Sequence, residues 1–208
     1  MSACLVLLDL QHGILRSGRI AWADSATPER VISTARSYLD RARSLSMPVI
    51  HVGVVRNAVP DRLDRPRTEM AVRSGKTPRE MLPMAADTSD VDFCLPPEPG
   101  EEIVLKTGVS AFAGTRLEQL LRGRRAEDVL VCGVFTHMVV ESTVRQGFDL
   151  GYRMGVLADA CAALAPAPHD SALNIGIPGF ARIFSGPAAF DEAVATFDFS
   201  SGANRNAG

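Results

Sequence analysis

Largely apolar runs recur along the chain at residues 4–8 (CLVLL), 49–55, 102–106 (EIVLK), 129–132, 154–158 and 181–185. They lack the apolar–polar alternation of a half-exposed strand, so each reads as a strand buried on both faces, as in a parallel sheet covered by helices. Helical spacing fills the intervals. Val31, Ala35, Tyr38, Leu39, Ala42 and Leu45 share one face behind Thr27-Pro28-Glu29, where Thr27 is an N-cap candidate, Pro28 suits the first helical position and Glu29 the first turn. Leu117, Leu120 and Leu121 mark another helix. A long helix follows Gly133, a broken one lies near 170–175, and a last one runs through Phe190, Ala193 and Phe197. Strands alternating with helices predict an α/β fold: a doubly wound, mostly parallel six-stranded sheet with helices on both faces.

Residues 1–199 are read as one domain and the polar, glycine-containing residues 200–208 as a frayed tail. Residues 56–100 interrupt the alternation with many prolines, arginines and aspartates, which predicts a lid, a binding loop or a subunit contact. Within them, Ser74-Gly75-Lys76-Thr77 matches the end of a phosphate-binding loop. The first glycine of that motif would fall at Met70, and no strand precedes it, so the match is rejected.

At 208 residues the chain suffices for one sizeable domain. With 46% hydrophobic residues, 22% charged and a net charge of -2, nothing suggests a nucleic-acid or membrane surface. No apolar run approaches the roughly 18–20 residues that span a bilayer, and the first residues enter a strand directly, so a cytoplasmic protein is expected. Cys4, Cys94, Cys132 and Cys161 show no C-x-x-C spacing and are expected to be reduced, structural thiols. Of 22 basic residues only Lys76 and Lys106 are lysine, which draws attention to a lysine placed at a strand end.

Three strand ends carry candidate chemistry: Asp9, Lys106 and the turn from Gly133 to Val139. In a parallel sheet these ends open onto one edge, where ligands bind. Taken singly, a strand-end aspartate is often a helix cap and a lysine is often just solvated. Together, a carboxylate and an ammonium would orient each other and shift each other's pKa. A strand entering a helix across a glycine turn also aims backbone N–H groups at one point.

The segments LLDLQHG at 7–13, LKTGVSAFAGTRLEQLL at 105–121, GVFTHMVVESTVRQGFDLGY at 133–152 and LADACAA at 157–163 resemble the isochorismatase-like cysteine hydrolases, a family of nicotinamidases, carbamoyl-amide hydrolases and isochorismatases. The resemblance runs from about residue 4 to 195. It implies the family's six-stranded fold, with Asp9 and Lys106 as the carboxylate and lysine of its catalytic triad. It further implies a cis peptide between Val134 and Phe135, with backbone N–H groups of the turn as an oxyanion hole. A homodimer or homotetramer is implied, with a small molecule as substrate.

Val139 stands where that family has its thiol nucleophile, and valine cannot attack a carbonyl. Three explanations remain open. One is the isochorismatase branch, in which the aspartate protonates the enol carbon of a vinyl ether and water captures the oxocarbenium ion. His137 supports it, because some isochorismatases carry histidine two positions before the thiol site. Against it, Lys106 is followed by Thr-Gly-Val, and only Arg56 and Arg67 suggest themselves for substrate carboxylates. The second is another biosynthetic step on the same Asp–Lys pair, and the third a catalytically silent binding homologue. A valine substituted for an original cysteine, in an amide hydrolase, is a further possibility. Gln11, His12, Trp22, Phe112 and His137 are expected to line the pocket, with ordinary packing as the bland alternative. No metal or other cofactor is expected, since His12, His51, His137 and His169 lack ligand spacing.

Overall fold

Every apolar run becomes a strand of one sheet in the computed structural model, which describes residues 3–56 and 69–197. In chain order, β1 (Ala3–Leu8) leads through the single turn α1 (His12–Leu15) to α2 (Thr27–Ser44) and β2 (Val49–Val54). The short α3 (Glu69–Ser74) and α4 (Pro78–Met81) and a 3₁₀ turn at Ser89–Val91 precede β3 (Glu102–Lys106) and α5 (Leu117–Gly123). Next come β4 (Asp128–Val134), a π-helical turn (Thr136–Val140), α6 (Glu141–Asp149) and β5 (Arg153–Ala162). The chain continues through α7 (Pro166–Ser171), a second π-helical turn (Ala172–Gly176), β6 (Ala181–Phe184) and α8 (Ala189–Thr196). Arg67 and the tail at 200–208 lie outside the described residues.

The strand order is β3-β2-β1-β4-β5-β6 and every pairing is parallel. Winding therefore reverses between β1 and β4, and the crevice beyond the carboxyl ends of those two strands is where such sheets bind ligands. All residues of β1, β2 and β4 are buried. Leu5, Leu7 and Leu8 are each almost wholly enclosed, a burial worth about 1.5–3 kcal/mol per side chain.

Helices cover both faces. On β5, Met154 meets α6 at Gly147, while the adjacent Gly155 meets Phe197 at the end of α8, so α6 and α8 lie on opposite sides. Tyr38 of α2 stacks on Phe190 of α8, which puts α2 on the α8 side. Val31, Ala35, Tyr38, Leu39 and Ala42 are the buried face of α2, as their spacing predicts. Its start differs by one residue: Ala26 is the N-cap, Thr27 is the first helical residue, and no side chain caps the end.

β5 is longer than its apolar core indicates. Its register on β4 jumps from Val131↔Val156 to Gly133↔Cys161, so the strand bulges and resumes pairing, and Asp159 lies within it rather than at its end.

Candidate active site

Asp9 follows β1 directly and sits in the left-handed region at φ 57, a conformation that asparagine and aspartate tolerate better than most residues. Its N–H donates to the Val52 carbonyl at 2.8 Å, tying the kink to β2. Lys106 ends β3, two strands away, and in register with Val54. Its Nζ reaches the Asp9 Oδ2 at 2.8 Å and also donates to the Gly108 carbonyl at 3.1 Å. Both side chains are nearly closed to solvent.

Burial and pairing oppose each other at Asp9. Desolvation pushes its carboxyl above the ordinary 3.8, against the pull of Lys106 and of Arg56. Oδ1, the oxygen that Lys106 does not hold, is buried and has no hydrogen-bond partner among the described residues. An ion pair closed to water with one such oxygen is poised to exchange a proton with a bound molecule.

The pair stands at the end of a cavity of about 300 Å³. Its walls are mostly apolar, with Ile20, Leu82, Val109, Phe135, Met138 and Val139 prominent. The polar contributors beside Asp9 and Lys106 include Arg56 and His137. Arg56 donates to the Thr107 carbonyl at 2.6 Å and so braces the loop that follows β3. His137 is held below the ordinary histidine pKa by burial, which the nearby Glu141 only partly offsets, so its ring is neutral near pH 7. Its Nδ1 is buried without a partner among the described residues.

The turn after β4 is built around two backbone requirements. Gly133 has φ 142, and a Cβ there would run into the Leu8 carbonyl of β1. Phe135 then takes the left-handed conformation, φ 62 and ψ 59, and its ring stacks on Trp22 with centroids 6.1 Å apart. The expected cis peptide between Val134 and Phe135 is not present, since no described peptide bond is cis. The left-handed residue reverses the chain in its place. The expected oxyanion hole is also corrected in part: the N–H groups of Met138 and Val139 both donate to the Phe135 carbonyl at 2.8 Å, which withdraws them from any ligand.

Asp9, Lys106, Phe135, His137 and Val139 are thus brought to one cavity, whereas Val134 is a buried strand residue behind it. Four other expectations are corrected. Gln11 spends its side chain on the backbone of Val54 and Val91. His12, whose backbone N–H donates to the Asp92 carbonyl at the start of α1, is not among the residues that line the cavity. Phe112 stacks on Tyr152 in the core, and Trp22 reaches the site only through Phe135. Residues missed from the sequence are chiefly apolar. Val109 and Met138 lie within recognised motifs and were within reach, whereas Ile20, Leu82 and Leu164 arrive from loops with no local signal. Among the described residues no cluster of three His, Cys, Asp or Glu side chains could hold a metal ion, and no helix is long and apolar enough to cross a membrane.

Comparison with known proteins extends the likeness over nearly the whole chain. The isochorismatase domain family model matches residues 3–186. The isochorismatase family protein YecD of Escherichia coli O157:H7 is 28% identical over 193 residues, covering 88% of this chain and 92% of its own. The ureidoacrylate amidohydrolase RutB of Stutzerimonas stutzeri is 29% identical over 204 residues, 92% of this chain and 82% of its own. Among solved structures, an isochorismatase family protein from Burkholderia thailandensis superposes with a TM-score of 0.75 at 26% identity, covering 93% of this chain and 96% of that one.

Proposed function

The chain belongs to the isochorismatase domain family, and from that premise we propose that it hydrolyses a small enol ether by acid catalysis, without a covalent intermediate. Asp9 supplies the proton and Lys106 orients it. The observation that carries this reading is that an acid whose Oδ1 lies unpartnered among the described residues shares one cavity with Val139, which we take as the position of the family's nucleophile.

The chemistry follows from these groups. Protonated Asp9 gives its proton from Oδ1 to the terminal vinyl carbon, leaving an oxocarbenium ion and the Asp9 carboxylate, which Lys106 stabilises at 2.8 Å. Water adds to the cation and returns a proton to Asp9. The hemiketal then breaks its C–O bond to give a ketone and an alcohol. No step needs a thiol or an oxyanion hole, in keeping with Val139 and with the N–H groups held by Phe135. The apolar walls suit the unreactive body of the substrate.

RutB is named as an amidohydrolase, so amide hydrolysis is the competing reading. Purified protein assayed on isochorismate, simple enol ethers and small amides separates the two. Enol ether turnover that falls at least about 100-fold in Asp9→Asn supports acid catalysis. Amide turnover by the native protein, or a Val139→Cys variant that gains it while enol ethers stay untouched, sinks the proposal.

A further inference from the structure

The side-chain amide of Gln11 substitutes for a piece of strand. Its Oε1 accepts the Val54 N–H at 2.8 Å, and its Nε2 donates to the Val54 carbonyl at 3.1 Å and to the Val91 carbonyl at 2.9 Å. Both polar groups of the last residue of β2 are therefore closed by one side chain, which also grips the segment returning towards β3. Gln11 is wholly buried, and Gly53 makes room for it: a Cβ there would lie 2.7 Å from the Gln11 Nε2. The backbone of Gln11 bridges Phe93 in the same returning segment.

These bonds sit between the two halves of the ion pair. Asp9 lies two residues before Gln11, in its left-handed kink. Val54 is the register partner of Lys106 and lines the same cavity, and the Val55 N–H donates to the Lys106 carbonyl at 2.9 Å. We propose that Gln11 is a positioning residue, which fixes the end of β1 to the end of β2 and thereby holds Asp9 within reach of Lys106. The proposal builds on the reading of Asp9 and Lys106 as the reactive pair, but its test does not depend on turnover.

The readout is the ionisation of Asp9, which is paired with Lys106 and feels the charge of Arg56, with His137 lining the same cavity. It is followed by carbon-13 NMR of aspartate-labelled protein, with the Asp9→Asn spectrum assigning the resonance. Gln11→Leu removes the clamp. Gly53→Ala displaces the amide without removing it, and serves should the first variant fold poorly. Leu95→Ala, a buried residue of the returning segment, is the control for stability lost with the clamp intact. The proposal expects the Asp9 midpoint to rise by about one pH unit in the clamp variants, because Lys106 attracts it less while burial persists, and to stay in place in Leu95→Ala. A midpoint unchanged or lowered in folded Gln11→Leu and Gly53→Ala, or one that rises equally in Leu95→Ala, overturns it. If the clamp variants shift as expected while no enol ether is turned over, the positioning role stands and the hydrolytic reading fails.

Discussion

Among single residues, burial governs the ionisation of Asp9 in the cavity. Asp9 keeps its proton to a higher pH folded than unfolded, because desolvation outweighs the attraction of Lys106. Its contribution to stability is therefore fully present below about 3.8 and lost as pH rises through the folded value. The same protonated form is the one an acid catalyst needs. The pH profile of kcat for an enol ether should accordingly be high on the acid side and fall by tenfold per unit above the Asp9 midpoint, a slope of about -1. A rate that climbs with pH over that range would assign Asp9 the role of a base. That Asp9, Lys106 and Val139 would meet in one place was legible in the sequence, because strand ends and motif spacing mark them. Gln11 was recognised but misplaced, since an amide two residues from a strand end can point towards a ligand or a neighbouring backbone, and only packing decides.

Among the elements, the segment returning from residue 69 towards β3 joins the core through Met84, Cys94 and Leu95 and is also held by polar contacts. Glu101 gathers several of these. The carboxylate accepts from Arg43 of α2 at 2.8 and 3.0 Å, from the Glu98 N–H at 2.9 Å and from His51 of β2 at 2.8 Å. Burial alone would raise its pKa, yet these donors pull it from the ordinary 4.5 to about 2. Because the folded value is depressed, the stabilisation is present above 4.5 and disappears as pH falls through about 2. Glu101→Gln should lower the Tm by about 2–4 °C at pH 7, with the gap to the native protein narrowing between pH 4.5 and 2. Thermal denaturation across that range measures it, and a constant gap would mean that the charge is not what matters. None of this network is visible in the sequence. The period of the apolar runs marks strands and helices, but the partners of Glu101 come from α2, β2 and a loop, and no local pattern announces them.

At the scale of the whole molecule, the strand order places the ends of β1 and β4 together at the point where winding reverses. That is why a kinked aspartate and a glycine turn, far apart in sequence, share one cavity wall. The fold was readable because six apolar runs at regular intervals leave few ways to build a covered parallel sheet. The detail of the β4 turn was not, because a cis peptide and a left-handed residue can both reverse a chain there, and local sequence does not distinguish them; here Phe135 is left-handed and stacks on Trp22. Where the proton goes can be read by isotopic labelling. When isochorismate or a simpler enol ether is hydrolysed in heavy water, one deuteron is expected on the former vinyl carbon of the ketone at the earliest time points, with both product and label lost in Asp9→Asn. In oxygen-18 water the label is expected in the ketone at those times; label in the alcohol instead, or full turnover in Asp9→Asn, would contradict acid catalysis by Asp9.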